Sequence, residues 1–445
     1  MSESFDLVVE GGTCLTPAGR VAADIGVRGA RIASIGDLSG AKAAARFAAK
    51  GLHVLPGVID TQVHFREPGL EHKEDLETGT RGAALGGVTG IFEMPNTNPT
   101  TSDGAALADK LRRARGRAWC DHAFYVGATG DNAGLLARIE GLPGCCGVKI
   151  FMGASTGSLL VADDAHIEIV LRAGRRRVAI HAEDEPRMQE RRALIKAGGG
   201  PAQHPVWRDE ESALRATTRA LALARKTGRP VHILHVTSAA EMPLLAQHKD
   251  IASVEVTPQH LTLAAPECYE RLGTLAQMNP PVRDARHREA LWRGLADGIV
   301  DVIGSDHAPH TREEKAKPYP ASPSGMTGVQ TLVPIMLDHV AAGRLSLERF
   351  VDLTSAGPQR LFNIAGKGRI ALGYDADFTI VDLAHRRRIE NSWIASRAGW
   401  TPFDGMTVTG WPRATIIRGR IVMHDDELQD APAGEPIRFV DTLSA

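Results

Sequence analysis

The chain has 445 residues, 43% hydrophobic and 24% charged, the proportions of a folded globular protein and not of a disordered, collagen-like or coiled-coil one. Its 52 lysines and arginines nearly cancel its 53 aspartates and glutamates, so no global field favours nucleic acid or an anionic membrane surface. No apolar run approaches the roughly 20 residues of a membrane helix, MSESFDLVVEGG lacks a signal pattern, and the five cysteines are scattered; a reduced, cytoplasmic protein with no nucleic-acid or membrane partner is expected.

From the start, FDLVVEGG, CLTPAG, DIGVRGARIASIG and LHVLPG alternate apolar with small or polar residues between glycines, which predicts short strands and tight turns over 1–55. The texture then changes. Short β-branched runs recur as PGVID (56–60), VTGIFEM (88–94), HAFYVGA (122–128), GVKIFMG (147–153), RVAIHAE (177–183), PVHILHV (230–236), SVEVTP (253–258) and GIVDVIGSD (298–306). Amphipathic stretches of helical length lie between them, such as HKEDLETGTRGAALG and RDEESALRATTRALALARKTG. Eight strands alternating with helices predict an α/β fold, a closed (β/α)8 TIM barrel over 56–365. A doubly wound open sheet is the rival, but no GxGxxG or GxxxxGK[ST] follows any strand. Beyond 366, KGRIALGYDADFTIVDL and RATIIRGRIVM are again glycine-punctuated strands, so 1–55 and 366–445 are predicted to form one small β domain from both termini.

Distinctive polar residues sit at the ends of the barrel strands. His64 and Arg66 follow the first and Asn96 the second, Lys149 lies in the fourth, His181 ends the fifth and His235 the sixth, His260 follows the seventh, and Asp306 and His310 close the eighth. In a barrel these positions converge on one face, where active sites are built. With 17 histidines in the chain, any single one is structural or exposed by default. Three histidines and an aspartate on separate strand ends instead suit a catalytic metal, and with it hydrolysis by an activated water. Lys149 is the only charge in an apolar strand. An ammonium cannot ligate a metal, but its carbamate, formed with CO2, offers two anionic oxygens that could bridge two.

The ordered set LPGVIDTQVHFREPGLEHKEDLETGTRGAALGGVT, EMPNTNP, GVKIFMG, IHAED, ILHVTS, VTPQHL, MNPPVR and IGSDHAPH resembles the dihydroorotase family of the amidohydrolase superfamily, over nearly the whole chain. The resemblance implies a (β/α)8 barrel with a small β-sandwich domain from both ends and one or two zinc ions. It makes His64 a ligand of the first metal, carbamylated Lys149 the bridge, His181 and His235 ligands of the second metal, and Asp306 both a ligand of the first and the general acid/base. Arg66, Asn96 and His310 match the groups that grip a substrate carboxylate, and Asn279, Ser324 and Gly325 match positions that contact a pyrimidine ring. The reaction implied is the reversible interconversion of N-carbamoyl-L-aspartate and (S)-dihydroorotate in pyrimidine biosynthesis. A homodimer is expected, with aspartate transcarbamoylase as a further candidate partner.

One departure stands out. Most family members carry HxH after the first strand, and this chain has Gln62-Val63-His64. Glutamine offers only a neutral carbonyl oxygen, so a weaker first metal, or a single-metal enzyme, is a live alternative to two zinc ions.

Dihydroorotate carries a ring carboxylate that allantoin and plain hydantoins lack, and a guanidinium is the best carboxylate partner. Arg66 therefore favours dihydroorotate over the alternatives, an allantoinase or a dihydropyrimidinase/hydantoinase-like hydrolase. The bland alternative for Arg66 is a salt bridge to Glu67 or Glu71. An inactive scaffold for aspartate transcarbamoylase, favoured by Gln62 alone, is opposed by Lys149, His181, His235 and Asp306. Cys145-Cys146 is read as packing, His204, His232, His248 and His287 as structural or exposed, and RAGRRR (172–177) as a helix end facing water. The segment 311–325 is either a solvated connector or a rim of the active site.

Overall fold

The glycine-broken runs at the two ends of the chain pair with one another in the computed structural model, which describes residues 4–155, 159–196 and 198–443. The first strands are β1 (Ser4–Thr16), β2 (Gly19–Arg28), β3 (Arg31–Gly36), β4 (Lys42–Ala48) and β5 (His53–Pro56). Eight more follow: β6 (Val58–Val63), β7 (Val88–Glu93), β8 (Asp121–Gly127), β9 (Cys145–Phe151), β10 (Val178–His181), β11 (Val231–Ile233), β12 (Ala252–Val256) and β13 (Val302–Ile303). The last are β14 (Phe378–Arg388), β15 (Thr407–Ile417), β16 (Arg420–His424) and β17 (Glu427–Leu428).

Strands β1–β5 and β14–β17 form one nine-stranded sheet. Its two halves meet at β5, parallel to β1 and antiparallel to β14. Leu7, Val9, Ile25 and Val54 from one end share a core with Phe378, Ile380, Ala414 and Ile416 from the other, so each half buries its apolar face on its counterpart.

Strands β6–β13 pair in sequence order, all parallel. Val63 at the end of β6 bridges His307 just beyond β13, and the His64 amide donates to the His307 carbonyl at 2.7 Å, which closes the ring. Strands of such a barrel are covered on both faces, hence the unbroken burial of DHAFYVG and CCGVKIF. The eighth strand is shorter than the run 298–306 predicts. The chain there passes so near the Glu255 carboxylate that a Cβ on Gly304 would stand 2.6 Å from it, and the ladder ends at Ile303.

Helices return the chain between strands from ordinary signals. Asp75 caps the helix Leu76–Leu85 by accepting from the Thr78 amide, and Asp209 caps Glu210–Thr227 through the Ser212 amide. Among the described residues no helix is long and apolar enough to cross a membrane.

A buried ionic cluster joins the lower rim of the barrel to the β domain. Lys367 Nζ lies 2.6 Å from Asp121 at the start of β8, 2.6 Å from Asp377 and 3.1 Å from Asp375, and Arg418 also pairs with Asp121. The basic run 172–177 departs from expectation in the same region. Arg172 ends a helix and faces water, but Arg176 is buried, pairing with Asp441 at 2.6 Å and donating to the Cys145 carbonyl. The partner that draws it inward lies 265 residues away, beyond the reach of local pattern.

Candidate active site

The strand-end residues converge. One pocket at the C-terminal face of the barrel is lined by Gln62, His64, Arg66, Asn96, Lys149, Phe151, Ser155, His181, His235, Asn279, Asp306, Ala308, Ser324 and Gly325. Three of these, Arg66 (φ 65°), His235 (φ 37°) and Asp306 (φ 44°), have left-handed backbone. Such conformations cost of order 1–3 kcal/mol each for residues other than glycine, and here they turn a side chain inward just past its strand. Gly325 (φ 151°) passes so close to Ala308 that a Cβ would stand 2.2 Å from the Ala308 carbonyl oxygen.

Inside the pocket the candidate metal ligands form two pairs. His64 Nε2 is 3.2 Å from Asp306 Oδ1, while His64 Nδ1 engages Asn96 Oδ1 at 2.7 Å. His181 Nδ1 is 3.1 Å from His235 Nε2, while His181 Nε2 engages Glu183 Oε2 at 2.8 Å. Burial, aided by nearby cations, holds all three imidazoles below the usual histidine range, so each keeps a lone pair. Lys149 is 1% exposed, sits 4.5 Å over the Phe151 ring, and has no hydrogen-bond partner among the described residues. Burial pushes its ammonium down to about 7 against the pull of Asp306 and Glu255. Burial also pushes the Asp306 carboxyl up to about 7, against Lys149 and His181.

These residues fit a metal centre. Among the described residues no three His, Cys, Asp or Glu side chains form a ready trio. The pocket holds instead two ligand pairs, with Lys149 in electrostatic reach of both, and buried atoms without partners: Lys149 Nζ, His235 Nδ1 and Gln62 Oε1. Orphaned polar atoms at such depth cost about 1–3 kcal/mol each and call for a ligand.

The arginine is unpaired as well. Arg66 is 1% exposed; Nε donates to the Pro309 carbonyl at 3.2 Å, Nη2 lies 3.4 Å from His310 Nε2, and Nη1 has no partner. No carboxylate among the described residues lies within ion-pair distance of it. Glu67 pairs instead with Arg117 at 2.8 Å and with Arg113, and Glu71 accepts from the Gly69 amide. His310 does not reach the pocket wall. It stands behind Arg66, between Lys73 Nζ at 3.2 Å and the Ser324 carbonyl at 3.0 Å. His260 is also held back, against Thr257 and the Pro280 carbonyl.

The segment 311–325 is a rim of the site. Ser324 and Gly325 line the pocket, and the buried Lys315 Nζ donates to the carbonyls of Gln277, Pro323 and Gly325 at 2.9–3.0 Å. His204, read from sequence as structural or exposed, is buried and holds Asn279 Oδ1 at 2.9 Å and Ser324 Oγ at 3.4 Å. Glu183 and Arg208 were not singled out either. Arg208 grips Glu183 at 2.5–3.1 Å and donates to the Ala154 carbonyl, next to Ser155 in the wall. The position of Glu183 two residues past His181 was the one available signal; nothing in the sequence marks Arg208 as its partner.

Known proteins share this architecture. The amidohydrolase family model matches residues 53–422. A dihydroorotase of Halobacterium salinarum is 38% identical over 377 residues, 84% of this chain and 87% of that protein. An allantoinase of Deinococcus radiodurans is 33% identical over 98% of this chain and 99% of its own length. The solved L-hydantoinase (dihydropyrimidinase) from Arthrobacter aurescens superposes with a TM-score of 0.92 at 32% identity, over 97% of this chain and 99% of that one. A family match running from β5 into β16, together with relatives above 30% identity over most of the chain, accounts for the barrel and its strand-end residues alike: the chain belongs to the amidohydrolase family.

Proposed function

We propose that the protein is a dihydroorotase, a metal-dependent cyclic amidohydrolase that interconverts N-carbamoyl-L-aspartate and (S)-dihydroorotate. The observation that carries this reading is the buried Arg66, which among the described residues has no partner for Nη1 and no carboxylate in range. A desolvated guanidinium beside Asn96 suits a substrate carboxylate. Of the cyclic amides that relatives are named for, dihydroorotate carries one on its ring, and allantoin and plain hydantoins do not.

His64 and Asp306 would hold one zinc ion and His181 and His235 the other, with Lys149 as its carbamate between them. A lysine pushed down to about 7 is in good part unprotonated at neutral pH, the form that adds CO2. When bound, zinc supplies the Lewis acidity that activates water and polarises the ring amide. Asp306, a buried carboxylate in the pocket, would take a proton from the attacking water and pass it to the departing ring nitrogen. Arg66 and Asn96 orient the ring by its carboxylate, His310 steadies Arg66 from behind, and Asn279, Ser324 and Gly325 flank the ring.

A second reading, hydrolysis of an uncharged cyclic amide, draws on the near full-length match to the allantoinase and the L-hydantoinase. Purified protein assayed with dihydroorotate, allantoin, hydantoin and dihydrouracil decides between them. A kcat/KM for dihydroorotate at least about 30-fold above the others is the expected result. Preference for any uncharged ring would overturn the dihydroorotase reading.

A further inference from the structure

The donor atoms in the pocket differ in kind from one side to the other. His181 Nδ1 and His235 Nε2 form an all-nitrogen pair. His64 and Asp306 supply one nitrogen and one carboxylate, and Gln62 stands beside them, 1% exposed. Gln62 Nε2 donates to Asp306 Oδ1 at 3.0 Å, and Gln62 Oε1 is buried with no partner among the described residues. The opposite amide orientation would set a carbonyl against the carboxylate, so the hydrogen bond fixes which end is orphaned. Gln62 Oε1, which finds no donor among the described residues, belongs to the same amide that touches Asp306, and a carbonyl oxygen is a neutral hard donor for a cation.

We propose that Gln62 makes the two metal positions chemically unequal: the His181–His235 position is a tight zinc site, and the Gln62–His64–Asp306 position is an oxygen-rich, exchangeable site that accepts Mn2+ in place of zinc. The proposal rests on the reading of the pocket as a metal centre. Imidazole suits zinc, whereas carboxylate and carbonyl oxygens suit Mg2+ and Mn2+. With one imidazole among its protein donors, the Gln62 side gives up much of the preference for zinc that the two-imidazole side retains. Gln62 also draws on Asp306 through a hydrogen bond, which a metal must share or displace.

The test is metal binding by the full chain, loaded with excess zinc in bicarbonate and dialysed against a mild chelator, with metal counted by mass spectrometry and bound Mn2+ by electron paramagnetic resonance. The wild type should retain one zinc per chain and then bind one Mn2+. Gln62→His, which adds a second imidazole, should retain two zinc ions and exclude Mn2+. The near-isosteric Gln62→Met should retain one zinc and bind Mn2+ about tenfold or more weakly, the scale on which single contacts at metal sites act. Two equally chelator-resistant zinc ions in the wild type, or unchanged Mn2+ affinity in Gln62→Met, would overturn the proposal and leave the metal centre standing. No retained zinc in any variant would overturn both.

Discussion

His181 Nδ1 faces His235 Nε2 across 3.1 Å, two neutral imidazoles, one ending β10 and one just past the neighbouring β11. The far nitrogen of His181 is committed to Glu183, so the nitrogen facing His235 presents a lone pair. Burial alone would raise the Glu183 carboxyl, but Arg208 and His181 hold it well below the usual carboxylate range, where it stays an anionic acceptor. Glu183→Gln should keep the fold and weaken zinc binding by about 10- to 100-fold in chelator competition. Wild-type zinc affinity in that variant would limit Glu183 to packing with Arg208.

Lys149 Nζ has no partner among the described residues, which supports the bridging role proposed for it. Lys149→Ala should abolish turnover, and added acetate or propionate should restore part of it, because a free carboxylate can occupy the place of the proposed carbamate. Activity assayed with and without the added acid checks this. Full activity without rescue would remove Lys149 from the centre.

The Lys367 cluster sets a stability that depends on pH with a definite sign. Burial works against the Lys367 ammonium, but Asp121, Asp377 and Asp375 hold it above its usual range, and the Asp377 carboxyl is raised by burial even with Lys367 present. Lys367→Met leaves the buried Asp377 without its cation, while Asp121 keeps Arg418 and Asp375 keeps Arg31, at a cost of about 3–5 kcal/mol at pH 7. The Asp377 carboxyl, already raised by burial, then lies further above its unfolded value, so the folded variant binds a proton that the unfolded chain does not. Its stability falls as pH rises through that window, and the deficit against wild type should narrow from pH 7 to pH 5. Urea denaturation at the two pH values measures it; a constant deficit would contradict the linkage.

The fold and the principal site residues were legible because both follow from local pattern. Eight β-branched runs, each leading into a helix, define a barrel, and a position at or just past a strand's end places a residue on the face that carries the pocket; His64, His181, His235 and Asp306 were read this way and line it, as does Lys149, read from its place within an apolar strand. Pairings across distant segments were not legible. Arg208 meets Glu183 from 25 residues away, His204 meets Asn279 from 75, and Arg176 meets Asp441 from 265, and nothing periodic marks any of them. His310 shows the limit from the other side: its position past the eighth strand was right for the pocket, but Lys73, Arg66 and the Ser324 carbonyl hold it one layer back.

The dihydroorotase reading depends on Arg66, and the most direct test compares two substrates in one variant. For Arg66→Met, kcat/KM should be measured for dihydroorotate and for dihydrouracil, the same ring without the carboxylate. Loss of a charged hydrogen bond in a desolvated pocket is of order 2–4 kcal/mol, or roughly 30- to 1,000-fold for dihydroorotate. Dihydrouracil never uses that contact and should change by less than about threefold on the same scale. An equal loss for both substrates would make Arg66 structural and contradict the account.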